Sequence, residues 1–215
     1  MLLVILVSLI FFGAAKAHKM LDKDSPANKP TLGTVFIDPG HGGNDPGAES
    51  NGRVEKEDTL RMGLMVRDEL KKKGYKVKMS RTDDESVDRG LRADMANEAQ
   101  ADLMVSIHRN QATSGEGVEI WIPSANGEKD RSLGDNIMKA LENVGISQNR
   151  NVRSGTLVDP NDDYVENANS LMPSCLIELG FLSSDTDNKD FDKKGKKYAK
   201  AIAYGIHQTY EKIYK

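Results

Sequence analysis

A single cysteine, Cys175, stands in a chain of 215 residues, so no internal disulfide can form. With Leu176 and Ile177 beside it, the thiol reads as a small core residue on a buried strand. Positive charge is not in excess either: 30 Lys and Arg face 33 Asp and Glu, for a formal net charge of -3. That balance gives no ground for a nucleic-acid partner. The phosphate-cradling patterns GxxxxGK(S/T) and GxGxxG are both missing, which disfavours a phosphate-binding reading of the glycine-rich stretch near residue 40. Apolar runs long enough to cross a bilayer are missing too. The one uncharged apolar stretch, Leu2 to Ala15, has ~14 residues where a spanning helix needs ~20.

That stretch has no Lys or Arg before it and is followed by Ala15-Lys16-Ala17, an A-x-A cleavage pattern. Residues 1–17 are therefore expected to be a secretory signal peptide, with an uncleaved membrane anchor as the alternative, and the protein is expected to be exported. Residues 18–33 are polar, hold two prolines and show no periodicity, the pattern of a flexible lead-in. Residues 34–215 suit one domain, with 38% hydrophobic and 29% charged residues in the whole chain, as in ordinary globular proteins.

What is present is organised around VFIDPGHGGNDPG, Val35 to Gly47. Val35, Phe36 and Ile37 suit a buried strand, Asp38 and Pro39 end it, and Gly40, Gly42 and Gly43 let backbone pass close to whatever His41 touches. A helix follows, with Asp58 and Thr59 as entry residues, Leu60, Leu64 and Leu70 at helical spacing, and a stop at Lys71-Lys72-Lys73-Gly74. Tyr75–Ser80 is expected as a second strand and Val87–Gln100 as a helix. Leu103–Ile107 forms a third strand closed by His108, and GVEIWI, 117–122, a fourth. A helix over Ser132–Val144, a loop-rich region from 145 to 173, a strand over Cys175–Leu179 and a last helix from about Lys194 complete the pattern. Tyr198, Ile202, Ile206, Tyr210 and Ile213 form that helix's buried stripe, with His207 packing beside it. Within the loop-rich region, Asn161, Asp162, Asp163 and Tyr164 are the candidates for substrate contacts.

Alternating strands and helices predict an α/β fold, a mostly parallel sheet flanked by helices. In such sheets, sites collect at strand C-terminal ends. His41 follows the first strand and His108 closes the third, so both converge on one rim and suggest a metal. A catalytic zinc takes about three protein ligands and keeps one position open, and two histidines with a glutamate are a standard set. The third ligand is left open by spacing among Glu55, Glu57 and Glu49, the first of which lies in the loop before the helix. Zinc lowers the pKa of a bound water to ~7 and polarises a carbonyl. A carboxylate base would complete the chemistry, and Glu178, at a strand end in CLIELGF, is the candidate. Its alternative is a structural ion pair with Arg81, Arg89 or Arg92.

The segments IDPGHGGNDPGA, VEKEDTL, SRTDD, ADLMVSIHRN, GVEIW and CLIELGFLSS, in this order, resemble the zinc-dependent N-acetylmuramoyl-L-alanine amidases of bacterial cell walls, over nearly all of residues 34 to 213. The resemblance implies that His41, Glu55 and His108 bind Zn2+ and that Glu178 is the catalytic carboxylate. It implies a peptidoglycan substrate, cut between N-acetylmuramic acid and L-alanine. Two departures stand out. The family's SIHANA is SIHRNQ here, with Arg109 and Gln111, and its ELGFLSN ends in Ser184; the first is expected to alter the rim beside His108. A short domain without wall-binding repeats is most similar to the germination-specific type of spore-forming bacteria. That type strips peptides from muramic acid so that cortex muramic-δ-lactam can form. The location implied is the cell wall or the spore envelope, with an exported activator or recruiting protein as partner. The rival readings are a zinc peptidase and a wall-binding protein inactive without a partner.

Overall fold

The computed structural model of the protein describes residues 32–215. The expected signal segment, 1–17, and residues 18–31 of the expected lead-in lie outside the described residues. At Leu32 the backbone N–H donates to the Gly74 carbonyl at 3.0 Å, and the first strand, β1 (Thr34–Pro39), starts two residues later. Its Val35, Phe36 and Ile37 are buried, as their β-branched and aromatic character requires. A two-residue ribbon follows, β2 (Glu49–Ser50) against β3 (Arg53–Val54), closed by Asn51 and Gly52. Both turn residues have positive φ, 52° and 76°, the geometry for which an Asn-Gly pair is suited.

The remaining elements are α1 (Glu55–Lys73), β4 (Lys76–Met79), α2 (Leu91–Glu98), β5 (Leu103–Asn110), β6 (Val118–Ile122), α3 (Glu128–Val144), β7 (Asn149–Ser154), α4 (Val165–Ala168), β8 (Ser174–Phe181) and α5 (Asp185–Tyr214). The main sheet has the order β4-β1-β5-β8-β6-β7. Every neighbouring pair in it is parallel except β6 with β8, so the expected mostly parallel sheet flanked by helices is what the chain forms. Among the described residues no helix is long and apolar enough to cross a membrane.

Alternation along the strands decides where chemistry can sit. Val35, Ile37, Leu103, Val105, Ile107, Cys175 and Ile177 point to one face and form the main core with α1, α3 and α5. Cys175 is buried there as a free thiol, as expected. Phe36 and Met104 point to the other face, under the shorter α2, in a smaller cluster with Ala96 and Ala101. Further along that second face come Ser106 and His108 on β5. His108 is in register with Glu178 on β8, and Glu178 with Glu119 on β6.

Several boundaries differ from expectation. Helix α1 starts at Glu55, so this residue is the helix's first rather than part of a preceding loop. Helix α5 starts at Asp185, about nine residues earlier than its apolar stripe suggested, because the Ser184 hydroxyl caps it by accepting the Asp187 N–H at 3.2 Å. Strands β5 and β8 run on to Asn110 and Phe181, which puts His108 inside its strand and Glu178, already within the expected strand, further from its end. The region expected to be loop holds β7, whose sequence NRNVRS shows no clear apolar alternation, as suits a sheet edge.

Candidate functional site

Beyond β1 the chain turns sharply through backbone conformations that few residues adopt. His41 has φ 61°, and Gly42, Gly43 and Gly47 are also positive. Two buried arginines hold this loop. Arg81 donates to the carbonyls of Pro39 at 3.0 Å and Gly40 at 2.9 Å. Arg92 donates to Asp38 at 2.7 Å and to the His41 carbonyl at 2.9 Å. Asp38 is fully buried; burial alone would raise its carboxyl, but Arg92, with hydrogen bonds from Ser80 and Ser106, keeps it below the usual range. The glycines are sterically required. A Cβ on Gly40 would lie 2.2 Å from the His108 ring, and one on Gly47 would lie 2.6 Å from His41 and 2.7 Å from the Glu55 carboxylate.

The space left by those glycines is where three side chains meet. One ligand atom each of His41, Glu55 and His108 lies within 4.8 Å of the others. Glu55 stands between the rings: one oxygen is 3.1 Å from His41 Nε2 and the other 3.0 Å from His108 Nδ1. The backbone N–H groups of Ala48 and Arg109 also donate to it, each at 2.9 Å. Asp45 takes the far nitrogen of His41, Nδ1, at 2.9 Å, which turns Nε2 toward Glu55. Glu57 and Glu49 are exposed, so of the three acidic residues left open by spacing the fold brings in Glu55.

Charge at this cluster is finely opposed. Burial would raise the Glu55 carboxyl, but His108 and His41 together hold it far below the ordinary range. Burial would likewise depress His108, yet the Glu55 hydrogen bond and charge raise it to about 9, and His41 is raised for the same reason. A carboxylate between two imidazoles thus demands positive charge, supplied by protons or by a cation. Two imidazole nitrogens and a carboxylate oxygen, at a spot that a Cβ would fill, fit a divalent metal of the zinc type.

Glu178 faces the same cavity, of about 220 Å³, with His41, His108, Arg89, Tyr164 and Glu166 also in its wall. Its Oε2 is shielded from solvent and has no hydrogen-bond partner among the described residues. None of the three arginines considered as ion-pair partners reaches it: Arg81 and Arg92 are committed to the loop, and Arg89 pairs with Glu166 at 3.2 Å. Burial, with Glu55 and Glu119 nearby, lifts the Glu178 carboxyl to about 7 despite the opposing pull of the histidines. A carboxylate near neutrality beside a metal-competent cluster can exchange a proton at working pH.

Other expectations resolve differently. Of the four loop residues considered for substrate contacts, Tyr164 lines the cavity, edge-on to Trp121 at 5.8 Å. Asn161 and Asp162 are exposed, and Asp163 accepts from the Ser124 hydroxyl at 3.1 Å. His207 packs against Tyr75, with its Nδ1 2.8 Å from the phenol oxygen. Arg109 does not shape the rim: its side chain turns to the other face of β5, 2.5 Å from Asp58 and 2.8 Å from Asn188. Asp45, Glu119 and Glu166 were not foreseen. The first two carried a signal, an acid four residues after His41 and a lone charge within GVEIWI, whereas Glu166 lies in a polar stretch with none.

A family model described as N-acetylmuramoyl-L-alanine amidase matches residues 35–208. The chain belongs to this amidase family. The uncharacterized protein YqiI of Bacillus subtilis is 38% identical over 182 residues, which are 83% of this chain and 85% of that protein. The solved N-acetylmuramoyl-L-alanine amidase from Clostridium difficile 630 is 30% identical with a TM-score of 0.77, over 86% of this chain and all of that one. The CwlD amidase from Clostridioides difficile, solved in complex with the GerS lipoprotein, is 28% identical with a TM-score of 0.72, over 82% of this chain and 98% of that one. The chain spans about half the length of other curated amidase relatives it matches. Amidases of this family are generally metal-dependent, in keeping with the donor set between β1, α1 and β5.

Proposed function

We propose that the protein is a zinc hydrolase that cuts the amide between the lactyl carbonyl of N-acetylmuramic acid and the L-alanine of the peptidoglycan stem. The observation that carries this reading is the meeting of His41, Glu55 and His108 within 4.8 Å beside an unpaired Glu178. His41, Glu55 and His108 would hold the metal. When bound, zinc supplies a lowered pKa for an attacking water and polarisation of the scissile carbonyl.

The residues of the chain do the rest. Asp45 orients His41 through Nδ1, and the backbone N–H groups of Ala48 and Arg109 orient Glu55. Glu178 takes a proton on its carboxylate as the water oxygen bonds to the carbonyl carbon, and returns it to the alanine nitrogen as the carbon–nitrogen bond breaks. Arg81 and Arg92 keep the loop bearing His41 against the sheet throughout.

Mass analysis of muropeptides after incubation with the purified, zinc-loaded protein tests this directly. Free peptides beginning at L-alanine, absent from a chelated control, are the expected products. L-alanine left on muramic acid would reveal a peptidase instead.

The setting proposed is export to the wall or spore envelope, with a role in cortex maturation. Support comes from the likeness to CwlD, whose solved structure contains a lipoprotein partner. The same likeness favours a partner-dependent form of the enzyme, activated or recruited by an exported protein. Disruption of the gene should leave spores without cortex muramic-δ-lactam and unable to complete germination; a normal lactam content would end the spore assignment while leaving the amidase reading intact.

A further inference from the structure

Arg89 is a cation with unspent donors at the mouth of the cavity. It and Arg92 both line the space. Arg92 is buried, and its Nη1 and Nη2 are taken by Asp38 and by the carbonyls of Pro39, His41 and Val87. Arg89 is the reverse: its side chain is 60% exposed, and it makes one hydrogen bond among the described residues, from Nε to Glu166 Oε1 at 3.2 Å. Glu166 is only 2% exposed, set by α4 under the cavity wall. The contact at Nε ties the guanidinium to a buried carboxylate on the cavity wall. Its two terminal nitrogens are left as an unoccupied fork among the described residues, the geometry that takes a carboxylate by two parallel hydrogen bonds.

The rest of the wall makes that fork selective. Asp45, Glu166 and Glu178 would repel an anion placed deeper, so an anionic group of the substrate is steered to Arg89. In the peptidoglycan stem, the residue after L-alanine is a glutamate joined through its side-chain carboxyl. Its backbone carboxylate is therefore free, or is capped as a carboxamide in amidated walls. This group lies one residue beyond the scissile amide.

We propose that Arg89, positioned by Glu166, is a specificity determinant that binds the free backbone carboxylate of the second stem residue and so favours unamidated over amidated peptidoglycan. The inference rests on the amidase reading above and adds the subsite on its peptide side.

The test uses two muropeptides that differ only in carboxylate or carboxamide at that position. The wild-type protein should show a kcat/KM ratio of about tenfold in favour of the carboxylate, expressed mainly in KM. Arg89→Ala should bring the ratio to near one, Arg89→Lys should keep part of it, and Glu166→Gln should lower it. A wild-type ratio near one, or a preference that survives Arg89→Ala, overturns the proposal. So does equal loss on both substrates with a lowered melting temperature, which is what a structural role would give. Should the wild-type protein release no alanine-headed peptide from either substrate, the amidase reading fails by itself. Equilibrium binding of the two stem peptides then decides on Arg89: preference for the carboxylate peptide that disappears in Arg89→Ala supports the subsite, and equal binding removes it.

Discussion

Glu178 holds its proton up to about 7, well above an ordinary glutamate near 4.3. The folded state therefore binds this proton more tightly than the unfolded chain does. The stability linked to it is fully present below the unfolded value and is lost as pH rises through about 7. In chelated protein at pH ~8, Glu178→Gln should therefore melt a few degrees higher than wild type, and the difference should vanish below pH ~4. Catalysis has the opposite need, since a base must be ionised. Turnover should fall as pH drops through about 7 or somewhat below, because a bound cation favours the carboxylate. Glu178→Gln should keep its zinc and lose ~10²–10⁴-fold in kcat; near-wild-type turnover would remove Glu178 from the proton path. Asp45 acts at one remove, and Asp45→Ala should weaken zinc ~10–100-fold in competition with a chromophoric chelator, with the fold unchanged.

Arg109 joins elements rather than lining a rim. From β5 it pairs with Asp58 on α1 and Asn188 on α5, with its guanidinium 4.4 Å from the Phe191 ring centroid. Asp58 also meets Arg53 and Arg61, which both bind Asp192. Arg109→Ala should lower stability by ~2–3 kcal/mol, short of the full cost of breaking a buried pair because Asp58 keeps two cations. A denaturant titration measures the loss, and a change in KM out of proportion to it would return Arg109 to the rim. The same residue shows where the sequence was mute. Its place in SIHRNQ, next to a metal-type histidine, suggested the site, but strand alternation sends it to the opposite face. Strands whose both faces are buried, such as β5 and β8, were legible as apolar runs, and the glycine loop announced itself through residues that sterics demand. Polar elements were not legible: β7 lacks alternation, and the first turns of α5 rest on the Ser184 cap and Phe191 rather than on a stripe. Glu55 was singled out by resemblance, since spacing could not separate it from Glu57; the first turn of α1 does so physically, burying Glu55 and exposing Glu57.

The metal-type cluster sits at the rim of the sheet and shares only Glu55 with the helices of the main core, whose contacts are apolar, so folding and chemistry should separate at the scale of the molecule. Chelation should abolish muropeptide cleavage while leaving far-ultraviolet circular dichroism intact, and added zinc should restore cleavage. Unfolding on chelation would show instead that the metal is structural. One helix sets the direction of the whole. Glu55 begins α1, Lys73 ends it, and the Gly74 carbonyl accepts from Leu32, so a helix of 19 residues, about 27 Å along its axis, separates the metal-type cluster from Leu32. Leu32 and the His41–Glu55–His108 cluster therefore lie at opposite ends of α1. A label attached at Leu32 would thus sit a full helix length from the cluster, so a fluorophore there should leave metal binding undisturbed and report on the domain without touching its cleft.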